Sequence, residues 1–149
     1  MSELRALYQE VIFEHNRHPR NYGVLTPSNH QAKGFNRLCG DKLTVFVALS
    51  EAGVIQAIQF EGSGCAICMA SASLMTEVMK GKSLPQVHEI FNDFHEMVTQ
   101  GQKPTAALGK LAVLSGVNEF PARVKCATLP WHTLMSALQE HTDQSVSTE

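Results

Sequence analysis

The residues best suited to chemistry in this chain are four cysteines, Cys39, Cys65, Cys68 and Cys126, and an aspartate beside the first of them. Cys39 and Asp41 flank a glycine in "NRLCGDKL". In extended or turn backbone, residues two apart can face the same way, and Gly40 permits a tight bend around a ligand. A thiolate and a carboxylate that close together point to a divalent cation. Cys65 stands in "GSGCAICMASAS", where a strand is expected to end and a helix to begin. Unpaired amides at a helix N-terminus favour negative charge, so its thiol should ionise more readily than a free one. Cys126, in "PARVKCATLPW", would complete a Cys3Asp set suited to tetrahedral zinc. Arg123, one helical turn earlier, can offset the excess negative charge of such a set or guide an anionic sulfur species. Lys125 is less well placed if the segment is helical.

Each of these residues also has a plainer reading. A cysteine is often a small buried hydrophobe, Asp41 can be a turn residue, and Arg123 can be a surface charge. Cys65 and Cys68 have the local arrangement of a dithiol oxidoreductase, but the βαβ context of such proteins is missing. The histidines show no compact ligand spacing, and His88 and His95, two turns apart, fit a solvated helical face. Met69, Met75 and Met79 fit core packing.

The elements that must position these groups read as follows. "LRALYQEVIFEH" predicts a first helix with Leu4, Leu7, Val11 and Phe13 on one face, broken by Pro19 and Gly23. Lys42 to Leu49 and Val54 to Phe60 predict a β-hairpin joined by "SEAG". A helix is expected from Cys65 to Lys80, ended by Gly81. Ser83, Pro85 and Gln86 mark the start of another, running to about Gln100 and stopping at Gly101. "ALGKLAVLSGV" reads as one or two short helices, and "FPARVKCATLPWHTLMSALQEH" as helical turns divided near Pro130. The fold class is therefore α+β, a small antiparallel sheet with helices packed on one face. One domain is expected over residues 1–149, with a polar tail from about 142 that frays. Because the strand after Cys39 pairs with the strand feeding Cys65, one end of the hairpin should bring both loops together.

A chain of 149 residues with a formal net charge of −2 and no basic run gives no electrostatic reason to bind nucleic acid. No apolar stretch is long enough to cross a bilayer, and "MSELRALYQE" has no hydrophobic signal core. A cytoplasmic protein, with its cysteines as thiols or metal ligands rather than disulfides, is the expectation.

In "RHPRNYG", "CGDKL", "GSGCAICMASAS" and "GVNEFPARVKCATLPW" the chain resembles the SufU/IscU family of iron–sulfur cluster assembly proteins, in order, from near Leu7 to about Leu138. Lys125 stands where IscU-type proteins usually carry histidine, and the helical stretch from Leu84 to Pro104 resembles the SufU branch. The resemblance implies a zinc-dependent sulfur acceptor partnered by a SufS-like cysteine desulfurase. Cys39, Asp41, Cys65 and Cys126 would be the metal ligands, Cys39 the sulfur acceptor and Arg123 a supporting residue. It also implies an alternative, a scaffold on which Cys39, Cys65 and Cys126 hold a [2Fe–2S] cluster for transfer to apo-acceptor proteins. Cys68 departs from the pattern, standing where the family more usually has a small residue without a thiol. So does Arg37, where related sequences often carry proline.

Overall fold

The computed structural model describes the backbone of residues 2–139 and 145–147 and the side chains of residues 8–139. Three consecutive strands, β1 (His30–Asn36), β2 (Asp41–Leu49) and β3 (Ile55–Ser63), form an antiparallel meander. A short strand β4 (Ser145–Ser147) adds to β1 in parallel, giving the order β3-β2-β1-β4. The hairpin expected from Lys42 to Phe60 is β2 and β3. β1 escaped the sequence reading because its inward residues are Ala32, Gly34 and Asn36, small or polar rather than β-branched. The remainder of the tail expected to fray lies outside the described residues.

Period-2 alternation places Leu43, Val45 and Val47 of β2 on one face, and helices α2 (Ala66–Met79) and α4 (Pro121–Leu138) cover that face. Outside them pack α1 (Ser2–Arg17), α3 (Leu84–Gln100) and a 3-10 segment over Ala106–Glu119, kinked at Gly109. The helix start at Ser83 is a capping box with Gln86, and α3 ends at Gly101, as its sequence predicts. Met69, Met75 and Met79 are buried in the core.

Two expectations need correction. Phe13 is 56% exposed, whereas Ile12 and His15 are the buried side chains among the described residues of α1, because one residue's step turns a helical side chain through about 100°. Leu4 and Leu7 fall outside the described side chains. The helix around Pro130 is not divided: α4 runs through it, although proline cannot donate to the carbonyl of Cys126 four residues earlier. Burial on both sides of Pro130 holds the continuous helix, with Leu129, Trp131 and Leu134 all in the core.

The "RHPRNYG" stretch after α1 is a clamp. The Arg20 N–H donates to Ser73 Oγ at 2.8 Å, and Asn21 Nδ2 donates to Thr76 Oγ1 at 3.0 Å, tying the stretch to α2. The Tyr22 hydroxyl donates to the Gly62 carbonyl at 2.8 Å, fixing the end of β3 just before Cys65.

α4 presses on β1 at Gly34, where a Cβ would clash with Thr133 Oγ1 and lie 3.0 Å from a Leu129 methyl carbon. Gly34→Val is therefore expected to cost about 1–3 kcal/mol of stability by overpacking. Denaturant unfolding of the metal-free protein measures it.

Candidate metal centre

The alternation that buries Leu43 and Ala32 continues to the end of the sheet, where the inward residues are Asp41 and Asn36, paired across β1 and β2. Two polar side chains thus stand where the pattern calls for apolar ones. The turn between the strands, Arg37 to Gly40, is closed by the Gly40 N–H on the Arg37 carbonyl at 3.3 Å, with Gly40 at φ +73°. It carries Cys39, half-buried at its tip. The far end of β3 pairs Ser63 with Lys42, which delivers Cys65 beside Asp41 as the N-cap of α2. Cys126 enters from α4, fully buried.

Ligand atoms of Cys39, Asp41 and Cys126 all lie within 4.8 Å of one another. Tetrahedral zinc, with bonds of about 2.0–2.3 Å, asks for ligands about 3.3–3.8 Å apart, so these donors fit the ion. Cys126 Sγ donates to Cys39 Sγ at 2.9 Å. Cys65 lies against this group rather than inside it. Its N–H donates to Asp41 Oδ1 at 2.8 Å, and its sulfur is hydrogen-bonded to the Cys126 thiol. Gly64 makes that approach possible, since a Cβ there would meet Asp41 Oδ1 at 2.5 Å.

Asp41 is 2% exposed, and its Oδ2 has no hydrogen-bond partner among the described residues. A buried carboxylate oxygen without a partner is costly unless a cation completes it. Arg123, exposed at the start of α4, points Nη1 to Cys39 Sγ at 3.7 Å. Lys125 is exposed, one residue before the buried Cys126.

The thiols differ in acidity. Cys65 is drawn down to about 6, first by the hydrogen bond from the Cys126 thiol and then by the Cys68 and Ile67 amides of the helix start. Burial and the Asp41 charge oppose the shift. The helix contribution was expected from the sequence; the larger one, from Cys126, was not. Cys126 itself is pushed up, because the same hydrogen bond, burial and its bond to Cys39 keep the proton on its sulfur. Cys68 is 1% exposed within the core, and burial pushes its thiol up. Cys65 is thus the accessible, acidic member of the pair and Cys68 its buried neighbour. In the metal-free protein, iodoacetamide should alkylate Cys65 with a rate midpoint near pH 6 while leaving Cys68 unmodified. Cys126→Ala should move the midpoint upward, since it removes the largest lowering cause. Peptide mapping across pH reads both.

Asn36 went unnoticed in the sequence. Its Nδ2 donates to Cys126 Sγ at 3.7 Å. Strand parity back from Asp41 would have found it, had β1 been recognised. The His95 and His132 rings lie 5.6 Å apart edge to face, both against Phe91 where α3 meets α4, with His132 six residues after Cys126.

Known proteins resemble this chain in sequence and fold. The NifU-like N terminal domain matches residues 7–127. The zinc-dependent sulfurtransferase SufU of Bacillus subtilis is 40% identical over 135 residues, covering 89% of this chain and 90% of the relative. The iron–sulfur cluster assembly scaffold protein IscU of Streptococcus pyogenes serotype M1 is 38% identical, over 98% of this chain and 95% of its own. A crystal structure of a candidate SUF-system scaffold protein from Fervidobacterium islandicum AW-1 superimposes with a TM-score of 0.81 at 32% identity, covering 87% of this chain and 94% of that one. This chain belongs to the family of the NifU-like N-terminal domain, as a relative of the SufU and IscU proteins.

Proposed function

We propose that this protein is a zinc-dependent sulfur acceptor in iron–sulfur cluster assembly. Cys39 takes the outer sulfur of a persulfide held by a SufS-like cysteine desulfurase, and later gives it to downstream assembly or apo-acceptor proteins. Cys39, Asp41 and Cys126 hold the metal, and Cys65, which lies against them, closes onto it as the fourth ligand. The observation that carries the reading is the position of Cys39: half-buried on a turn between Arg123 and Cys126, while Cys65 is fixed at a helix start and Cys126 inside a helix. Bound zinc keeps ligating thiols deprotonated at neutral pH.

The residues divide the work. The Cys39 thiolate attacks the outer sulfur of the desulfurase persulfide, so a new S–S bond forms at Cys39 as the enzyme's own S–S bond breaks. The electron pair leaves on the desulfurase thiolate, and no net oxidation occurs. Arg123, with Nη1 already near Cys39, balances negative charge on the incoming and departing sulfur. Asp41 and Cys65 brace one another through the amide–carboxylate hydrogen bond. Lys125, exposed beside Cys126, fits the SufU branch of the family, as does the helix α3. The test is desulfurase turnover with zinc-loaded protein added. Turnover should rise with its concentration and saturate; no rise contradicts the reading.

A second reading is a scaffold, with a [2Fe–2S] cluster as cargo on Cys39, Cys65 and Cys126. Three sulfurs at one end of the sheet suit iron–sulfur ligation. Anaerobic reconstitution separates the two: the sulfur-acceptor reading expects zinc to stay bound and no transferable cluster to form, and a cluster passed on to an apo-protein favours the scaffold.

A further inference from the structure

Two buried oxygens at the metal end have no hydrogen-bond partner among the described residues, Asp41 Oδ2 and Asn36 Oδ1. A cation completes the first. The second belongs to an amide that is 0% exposed, at the last inward position of a strand whose other inward residues are Ala32 and Gly34. A leucine there would keep the branching at Cγ, fill the same space and leave nothing unsatisfied. A half-satisfied buried amide is a cost that an apolar residue of similar shape avoids. The retained polar group is explained by what its other end does: Nδ2 donates to Cys126 Sγ.

The three sulfurs are unequal in their donors. Cys126 receives the buried Asn36 amide, and Cys65 receives the Cys68 N–H at 3.5 Å, both from groups fixed by the fold. Cys39 receives the exposed Arg123 side chain and the Cys126 thiol, with no donor from a buried side-chain amide or a helix start among the described residues. An N–H donated to a thiolate withdraws charge from it, making it a poorer nucleophile, and holds its direction toward the metal.

We infer that Asn36 is a positioning residue of the metal centre, whose amide holds Cys126 as a permanent ligand and so leaves Cys39 as the sulfur free to react. The inference rests on the metal-site reading above. Its marks are a weaker metal site without Asn36 and a sulfur whose electrons are less tightly held.

The experiment compares Asn36→Leu with the wild-type chain, using Zn2+ affinity from chelator competition, the sulfur-to-metal charge-transfer band of the Co2+-loaded protein, and melting of the metal-free protein. Asn36→Leu should bind Zn2+ about 10–100-fold more weakly, the scale of an outer-shell partner. Its Co2+ band should move to longer wavelength, and its metal-free melting temperature should be equal to or above wild type. Asn36→Asp, the same shape but with a charge beside the thiols, should bind Zn2+ more weakly than Asn36→Leu. Asn36→Ala reads the same band should leucine overpack the site. Unchanged affinity and band position overturn the inference. So does a metal-free protein that melts lower while the band stays in place, which marks Asn36 as packing alone. If wild-type protein gives no sulfur-to-cobalt band, or Cys126→Ser binds as tightly, the metal-site reading fails and the inference with it. If those controls behave and Asn36→Leu matches wild type, the inference alone fails.

Discussion

With Cys39→Ala, added protein no longer raises desulfurase turnover, which falls to the rate of the desulfurase alone. Loss of an attacking nucleophile is among the largest single-residue effects, on the order of 10³-fold or more. The remaining sulfurs do not substitute. Cys126 is 0% exposed and sits inside the helix α4, out of reach of a persulfide held by another protein. Cys65 ionises easily but is held between the Asp41 carboxylate and the Cys68 amide. The alanine at a half-buried turn position leaves no large cavity, so the protein should remain folded, as far-UV circular dichroism can show. Full stimulation by the variant would remove Cys39 as acceptor and favour a structural metal site.

Asp41→Asn separates the metal from the fold. The substitution keeps a carbonyl oxygen able to accept the Cys65 N–H now 2.8 Å from Oδ1, so the loop before α2 stays in place. It replaces the unpartnered Oδ2 with an NH2 group that cannot ligate. Metal affinity should fall by about 10²–10⁴-fold, a loss of a few kcal/mol from the roughly 10–16 kcal/mol typical of structural zinc. The effect is visible in melting curves. Zinc at about 1,000 times its Kd adds roughly 4 kcal/mol, or about 10 °C for a chain of this size. Asp41→Asn should erase most of that rise while changing the metal-free melting temperature little. A variant that still gains the full increment would show that Asp41 is a turn residue after all.

The α+β class is legible in the sequence, and so are the thiols and the carboxylate of the candidate site; one strand and one buried amide beside them are not. Cys39, Asp41 and Cys65 stand out because a thiol or carboxylate beside a glycine at a turn is a local signal, whereas Cys126, inside α4, has no such mark and stands out only as a further thiol in a chain with four. The hairpin β2–β3 and the capped α3 are visible because alternation and helix caps are local signals. β1 is not local in that sense. Its inward Ala32 and Gly34 make sense only once α4 is known to press on it, with Thr133 and Leu129 against Gly34. Asn36 was hidden for the same reason, since its role depends on Cys126, 90 residues further along. Pro130 misled in the other direction: a local helix-breaking signal was overridden by packing of Leu129, Trp131 and Leu134. The acidity of Cys65 was expected from the helix start, yet its first cause is a contact with Cys126 that no spacing rule supplies.

In the proposed reaction one sulfur atom comes to rest on Cys39. The direct measurement is intact-mass and peptide analysis of the zinc-loaded protein after incubation with a cysteine desulfurase and free cysteine, without reductant. The account predicts a gain equal to the mass of one sulfur atom, carried by the peptide that contains Cys39. The added sulfur on Cys65 or Cys126 instead, or no added sulfur while the desulfurase itself carries its persulfide, would contradict it.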